Sequence, residues 1–487
     1  MKLNDKRWDE DRLFKVRKEV LSQWDTGVEV ENIKEAVEYQ KSLPPHKIMA
    51  SKLADSYKKG EILTMPQVGH ATVEQTAEHM KAVEEQSGAD SWLIFMDTFS
   101  RKNRFADAQR AVEESIKQEQ SLLNGFPVVC HGVKGLRKIR EISNVPFFIT
   151  NVDEDPRLAT EIAFAAGATG YLCYDLHDLL QHSKNYPLGE RIQNNQYCSR
   201  LISYYEEKGS PIVAWSSGHF GGWETPGLKI PIVILTALIG AKQGIKHMAV
   251  TLGLTVNLVQ DVVALRVLDE LLKEYLIKYG CPDVKTYLWS YPFLGVWPRD
   301  SARTAALIAW QAAISVLSGV GCMIVKSLDE AFVTPQKEGN VAAVKMAKQI
   351  IDVTKGQRLG ESEGVIIEQE MLRKEVRATL NRVLELGDGD VAVGMVKAVQ
   401  MGVLDGVFSP WLGCKNNVVT VRDKTGAIRY LEYGNVPLPP EVIKYNKEKI
   451  TEREKATGKK VDMGTVVDDI TYLSHSLHSE ATKVERR

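Results

Sequence analysis

Lys326 closes an apolar, β-branched run, Gly321-Cys-Met-Ile-Val-Lys326, and Glu330 follows four residues later. At that spacing the two can form a solvated ion pair worth under about 1 kcal/mol, or they can serve a bound ligand. Spacing alone leaves both readings open. Other polar residues stand at or just after the ends of similar runs: Gln67, Arg101, His131, Thr150 with Asn151, Tyr174, and Ser216 to His219. Frames that carry other chemistries are missing, namely Gly-x-Gly-x-x-Gly after a strand, Gly-x-x-x-x-Gly-Lys and His-Glu-x-x-His. The string Ser217-Gly-His-Phe-Gly-Gly222 lacks the lysine and the spacing of a phosphate loop. The six cysteines are scattered without a Cys-x-x-Cys pair, which argues against a zinc site and a disulfide framework. Most are expected to be small buried apolar residues.

The elements that must position these residues follow a rhythm that starts near residue 61. Short apolar runs at Glu61–Gln67, Ser91–Phe99, Phe126–His131, Val145–Val152, Ala168–Tyr174, Pro211–Ser216, Lys246–Gly253, Thr286–Phe293 and Gly321–Lys326 alternate with amphipathic stretches such as Val73–Gln86 and Asn257–Tyr279. Strand and helix in alternation argue for a parallel sheet covered by helices. About eight units over roughly 260 residues fit a (β/α)8 barrel better than an open sheet, with nine candidate strands for eight places. A barrel carries its chemistry at the C-terminal ends of its strands, which is where these polar residues fall. Residues 1–60 are charged, amphipathic and helical in pattern, and 61–340 form the expected barrel. In 341–487, helical patterns surround Val418–Arg422 and Ile428–Tyr433, which flank the turn signal Asp423-Lys-Thr-Gly426. This reads as an α+β extension packed on the barrel.

The chain has 487 residues, 44% of them hydrophobic, so it can bury a large core. Lys plus Arg (62) nearly balances Asp plus Glu (63), leaving no basic field for nucleic acid or an anionic membrane. The longest apolar run, Ile230 to Gly240, is too short to span a bilayer. The N-terminus is charged rather than apolar. A cytoplasmic protein is expected.

Ser121-Leu-Leu-Asn-Gly-Phe-Pro127, Val325-Lys-Ser-Leu-Asp-Glu330 and Arg429-Tyr-Leu-Glu-Tyr-Gly-Asn-Val-Pro437 resemble the large (epsilon) subunit of the glutamate mutase, or methylaspartate mutase, family. The resemblance runs from the Trp8 region through Asp468-Asp469. It implies adenosylcobalamin as cofactor, with Lys326 and Glu330 on the adenosyl ribose and Arg101 facing both cofactor and substrate. Gly69 and Asn124 belong to the same implied cofactor surface. No Asp-x-His-x-x-Gly motif is present, and Asp175-Leu-His177-Asp-Leu-Leu180 lacks its glycine. In the resembled family a separate small subunit carries the corrin. The resemblance therefore implies a small cobalamin-binding partner and two copies of this chain pairing.

The implied substrate grip is altered. The family holds glutamate with three arginines, a glutamate and two tyrosines. By resemblance only Arg101 survives; the other positions hold Gln67, Thr150, Leu172, Asp178 and His182. A shift of alignment near 168–190 would bring Tyr171, Tyr174 or Asp175 to the same places. A bidentate arginine–carboxylate pair is not replaced by a neutral amide, and a buried carboxylate that loses one partner costs about 3–5 kcal/mol. The expectation is a mutase acting on an acid less negative than glutamate, or on one gripped by Asp178, His182 and His219. The more apolar loops carrying Trp223, Leu254 and Val256 fit a changed pocket. A plain glutamate mutase and an inactive barrel that docks a cobalamin subunit are the other readings.

Overall fold

The structure, a computed structural model, describes residues 3–150, 154–173, 176–218, 221–330 and 333–475. Eight strands form a closed, all-parallel barrel in chain order. They are β1 (Leu63–Val68), β2 (Trp92–Phe95), β3 (Phe147–Thr150), β4 (Gly170–Cys173), β5 (Val213–Gly218), β6 (His247–Gly253), β7 (Lys285–Tyr291) and β8 (Cys322–Val325). β8 closes on β1 with Leu63 opposite Cys322 and Pro66 opposite Val325. Helices alternate with the strands, so the chain is a (β/α)8 barrel.

The ninth candidate, Phe126–His131, is not a strand. Pro127 leads into the helix Val128–Ile142, whose buried residues Val129, Val133, Leu136 and Ile139 recur at helical spacing. A short β-branched run at a helix start carries no period of its own, which is why it imitates a strand.

Inward-facing residues alternate along the strands and fill the barrel: Leu63 and Met65, Phe148, Leu172, Val213 and Trp215, Tyr287 and Trp289, Cys322 and Ile324. The rings of Phe148, Trp215 and Trp289 meet edge-on and tilted in the middle, with Trp215 and Trp289 centroids 5.3 Å apart and Phe148 and Trp289 5.5 Å apart. Gly170 makes this possible, because a Cβ there would stand 1.9 Å from the Phe148 ring. Beneath the barrel, the helix Met49–Lys59 presses Met49 and Leu53 into the same core. Its first backbone N–H, that of Met49, donates to Thr169 Oγ1 at 3.1 Å.

The helix Lys337–Thr354 follows β8 and packs on β1 and on the helix Val73–Ser87, completing the outer ring. The apolar run from Ile230 lies within the helix Pro226–Lys242; among the described residues no helix is long and apolar enough to cross a membrane. Beyond the ring, the long helix Glu363–Leu386 lies on Pro226–Lys242 and Leu258–Lys278. Strands β9 (Val418–Arg422) and β10 (Ile428–Tyr433) form the antiparallel hairpin read from the sequence. Its turn is pinned by Asp423 Oδ1, which accepts from Thr425 N at 2.8 Å and Ala427 N at 3.1 Å.

Candidate functional site

The C-terminal ends of the strands surround a cavity of about 490 Å³. Four of the residues singled out from the sequence line it: Arg101, Thr150, His182 and Lys326. Each comes from a different strand end, which is how a barrel converges side chains distant in sequence. Lys326 directly follows β8, and its Nζ donates to Glu330 Oε1 at 2.6 Å. Burial works against the Lys326 charge, but Glu330 and the nearby Tyr291 hydroxyl hold its pKa above the ordinary lysine value. Lys326 lines the cavity and Glu330 stands behind it, so the pair is part-buried and not the solvated surface pair that spacing alone allowed.

Arg101 ends the one-turn helix Thr98–Arg101, which Asp97 starts by accepting from Phe99 N and Ser100 N. Its Nη2 donates to Thr98 Oγ1 at 3.2 Å, and its guanidinium lies 5.5 Å from the Phe95 ring centroid. Asn124 reinforces this turn: its Oδ1 accepts from Thr98 N at 3.0 Å, and its Nδ2 donates to Thr98 Oγ1 at 2.9 Å. The neighbouring Gly69 and Gly125 let three backbone segments meet. A Cβ on Gly69 would stand 2.6 Å from Phe95 O, and one on Gly125 would stand 2.6 Å from Asp97 N.

Gln67 reaches the site through Tyr291, donating from Nε2 to the phenol oxygen at 3.1 Å. Thr150 ends β3, and its hydroxyl accepts from Met96 N at 3.4 Å. His182 ends the short helix Leu176–His182; burial, with Arg101 and Lys102 nearby, lowers its pKa to about 4, so the ring is neutral at pH 7. Asp178 and Leu172 lie elsewhere. Asp178 is buried in an ion pair with Arg191, and Leu172 belongs to the packed barrel interior. Tyr171 is likewise buried, against Phe164. His131 donates to or accepts from nothing in the cavity; its Nε2 sits 2.8 Å from Ala71 O and its ring stacks on Phe126. Asn151, Tyr174, Asp175 and His219 lie outside the described residues.

Three further groups line the cavity that the sequence reading did not single out as site residues: Tyr291, Glu224 and Phe408. Tyr291 ends β7, so the strand-end rule would have found it had the run not been drawn on to Phe293. Glu224 follows β5, is 5% exposed, and accepts from Val407 N through Oε1 at 3.1 Å. Burial pushes its carboxyl up and pushes the ammonium of neighbouring Lys229 down. Phe408 has φ 57°, an unfavourable conformation for an aromatic residue. The turn is imposed by Asp405, whose carboxylate accepts from Gly406, Lys415, Asn416 and Asn417 N–H groups. This segment brings Val407, Phe408 and Pro410 over the mouth of the barrel. Gln181 also lines the cavity, and the rest of the wall is largely apolar, with Phe95, Leu180, Trp223, Leu294 and Val296.

Residues 43–478 match the protein family described as the methylaspartate mutase E chain. The glutamate mutase epsilon subunit of Escherichia coli O157:H7 is 35% identical over 477 residues, covering 98% of this chain and 99% of that one. That of Desulfitobacterium hafniense (strain Y51) is 35% identical over 478 residues, with the same coverage of both chains. That of Treponema denticola is 32% identical over 475 residues, covering 97% and 98%.

Proposed function

This chain belongs to the methylaspartate mutase E chain family, and from that premise we propose that it is the large subunit of an adenosylcobalamin-dependent mutase. Its reaction is the rearrangement of the carbon skeleton of a small amino or carboxylic acid other than glutamate. The observation that carries this reading is Lys326, paired with Glu330, on the wall of the cavity that also holds Arg101.

The donor set suits the cofactor. A part-buried ammonium and carboxylate 2.6 Å apart offer one donor and one acceptor to the two hydroxyls of a ribose. Lys326 and Glu330 would hold that sugar, with Asn124 and the close-packed Gly69 shaping the rim beside it. When bound, adenosylcobalamin supplies the radical that takes and returns a hydrogen atom, and the protein supplies binding and orientation. Arg101 would receive one substrate carboxylate, while the apolar lip of Val407 and Phe408 keeps water from the reacting carbons. His182, neutral beside Arg101, contributes a hydrogen-bonding ring without adding charge.

The departure from glutamate rests on charge. Gln67 and Thr150 are neutral, Gln67 is bonded to Tyr291, and Lys326 is bonded to Glu330. Among the described lining residues a second substrate carboxylate would find no further cation to meet it, at a cost of several kcal/mol. The second reading, interconversion of L-glutamate and L-threo-3-methylaspartate, is favoured by the names of the relatives. A small corrin-carrying partner and a pairing of two copies of this chain complete the proposed cytoplasmic assembly.

The deciding experiment mixes the chain, its small cobalamin-binding subunit and adenosylcobalamin. Candidate acids are added one at a time, and the radical signal is followed by electron paramagnetic resonance. Silence with glutamate and 3-methylaspartate, and a signal with another acid, is the expected result. A strong signal with glutamate overturns the altered substrate and leaves the plain family function.

A further inference from the structure

Glu224 is a carboxylate placed where an apolar wall would be expected. It lies in the loop after β5, is almost fully buried, and lines the same cavity as Arg101. Its Oε1 accepts from the backbone N–H of Val407 at 3.1 Å. The cation that neighbours it, Lys229, is turned to the backbone and donates to Gly253 O at 3.2 Å. Among the described residues the two make no direct ion pair. Lys229 acts on Glu224 only through space, so the buried carboxylate is without a hydrogen-bonded counter-charge, and the cavity is the side from which one can arrive.

The other charges of the cavity fix what that counter-charge belongs to. Lys326 is committed to Glu330. Among the described lining residues this leaves Arg101, bonded only to the neutral Thr98 hydroxyl, as the cation for a carboxylate. Leu172, where the resemblance places the family's ammonium-binding glutamate, is packed in the barrel interior.

We propose that Glu224 receives an ammonium group of the substrate, and that the site takes an amino acid with a single carboxylate. The carboxylate lies on Arg101, the ammonium on Glu224, and the neutral remainder against Trp223, Val407 and Phe408. This rests on the mutase reading above and deepens it. An ammonium brought to Glu224 forms a charge-assisted hydrogen bond in a site shielded from water, where such bonds are strongest. Among the described lining residues a dicarboxylic acid has no second cation to match.

The test measures binding to the full chain by titration calorimetry, using acids in pairs: leucine against 4-methylpentanoate, valine against 3-methylbutanoate, and glutamate against glutarate. The expected result is that the monocarboxylic amino acids bind at least about tenfold more tightly than their partners lacking nitrogen, and more tightly than glutamate. Glu224→Gln erases the preference for nitrogen. Because that change leaves Lys229 buried without its neighbour, the double variant Glu224→Gln/Lys229→Met is measured alongside and gives the same loss. A preference for nitrogen that survives in both variants overturns the assignment of Glu224. Equal binding of each pair by the unaltered protein also overturns it, while leaving a mutase of a simple acid standing. Failure of every acid to bind overturns both this inference and the mutase reading.

Discussion

Arg191 Nη2 donates to Asp178 Oδ2 at 3.0 Å, and both side chains are sealed from solvent. The same guanidinium donates through Nη1 to Glu154 O at 2.8 Å. One arginine on the helix Leu188–Glu207 thus anchors both the chain after β3 and the short helix after β4. Asp178 is held from behind, and it is His182, one turn further along, that reaches the cavity.

Breaking this pair takes the arginine away from a buried carboxylate. Arg191→Leu is expected to lower the unfolding free energy by about 3–5 kcal/mol, measured by urea titration. Asp178→Leu added to it recovers a large part, since both charges are then gone. If the single variant loses less than about 1 kcal/mol, the pair is not structural.

Lys326→Met keeps the length of the side chain and removes its charge. Losing a charged hydrogen-bond partner is worth about 1.5–3 kcal/mol, so coenzyme affinity and turnover are both expected to fall roughly 10- to 100-fold. Adenosylcobalamin titration of the assembled enzyme checks this. Unchanged affinity and turnover would end the assignment of Lys326 to the ribose.

The charge argument against glutamate can be reversed by design. Gln67→Arg combined with Thr150→Arg puts cations back where the resemblance places the family's clamp; Thr150 faces the cavity of about 490 Å³, and Gln67 stands behind Tyr291 at its edge. Glutamate affinity is expected to rise at least about tenfold, by calorimetry, through new arginine–carboxylate pairs. No gain in a folded double variant would show that lost arginines are not what weakens glutamate here.

Glu375 makes a prediction about pH. It lies on the helix Glu363–Leu386 and accepts from the Tyr430 hydroxyl at 2.5 Å. Burial pushes its carboxyl up to about 7; the Tyr430 hydroxyl opposes this, and Glu368 adds to it. Between its ordinary value of 4.5 and about 7 the folded protein binds the extra proton. Its stabilising contribution is complete below pH 4.5 and lost as pH rises through 7. Glu375→Gln cannot titrate. Its stability relative to the unaltered protein is expected to improve by up to roughly 3 kcal/mol between pH 4.5 and pH 8. A difference that stays flat across this range refutes the raised carboxyl.

Strands of a parallel barrel are covered on both faces and read as continuous apolar runs. For that reason β1 to β8 were visible in the sequence, and with them Gln67, Arg101, Thr150 and Lys326 near their ends. Val128–Ile142 was misread in its first turn because four or five residues cannot distinguish a period of 2 from one of 3.6. Glu224 had no such signal. Its burial depends on Val407, 183 residues later in the chain, and no local pattern encodes that meeting. The strained backbone of Phe408 sits beside Asp405, which gathers the adjacent Gly406 N–H and three N–H groups ten to twelve residues on.

The aromatic cluster of Phe148, Trp215 and Trp289, backed from beneath by the helix Met49–Lys59, makes the barrel a blind well among the described residues. Whatever reaches Arg101 from the mouth must depart through the mouth, so arriving and leaving molecules compete for one doorway. A protein seated on that doorway turns it into a valve, and the pace of exchange is then set by how often the seat lifts, whatever the speed of the chemistry below.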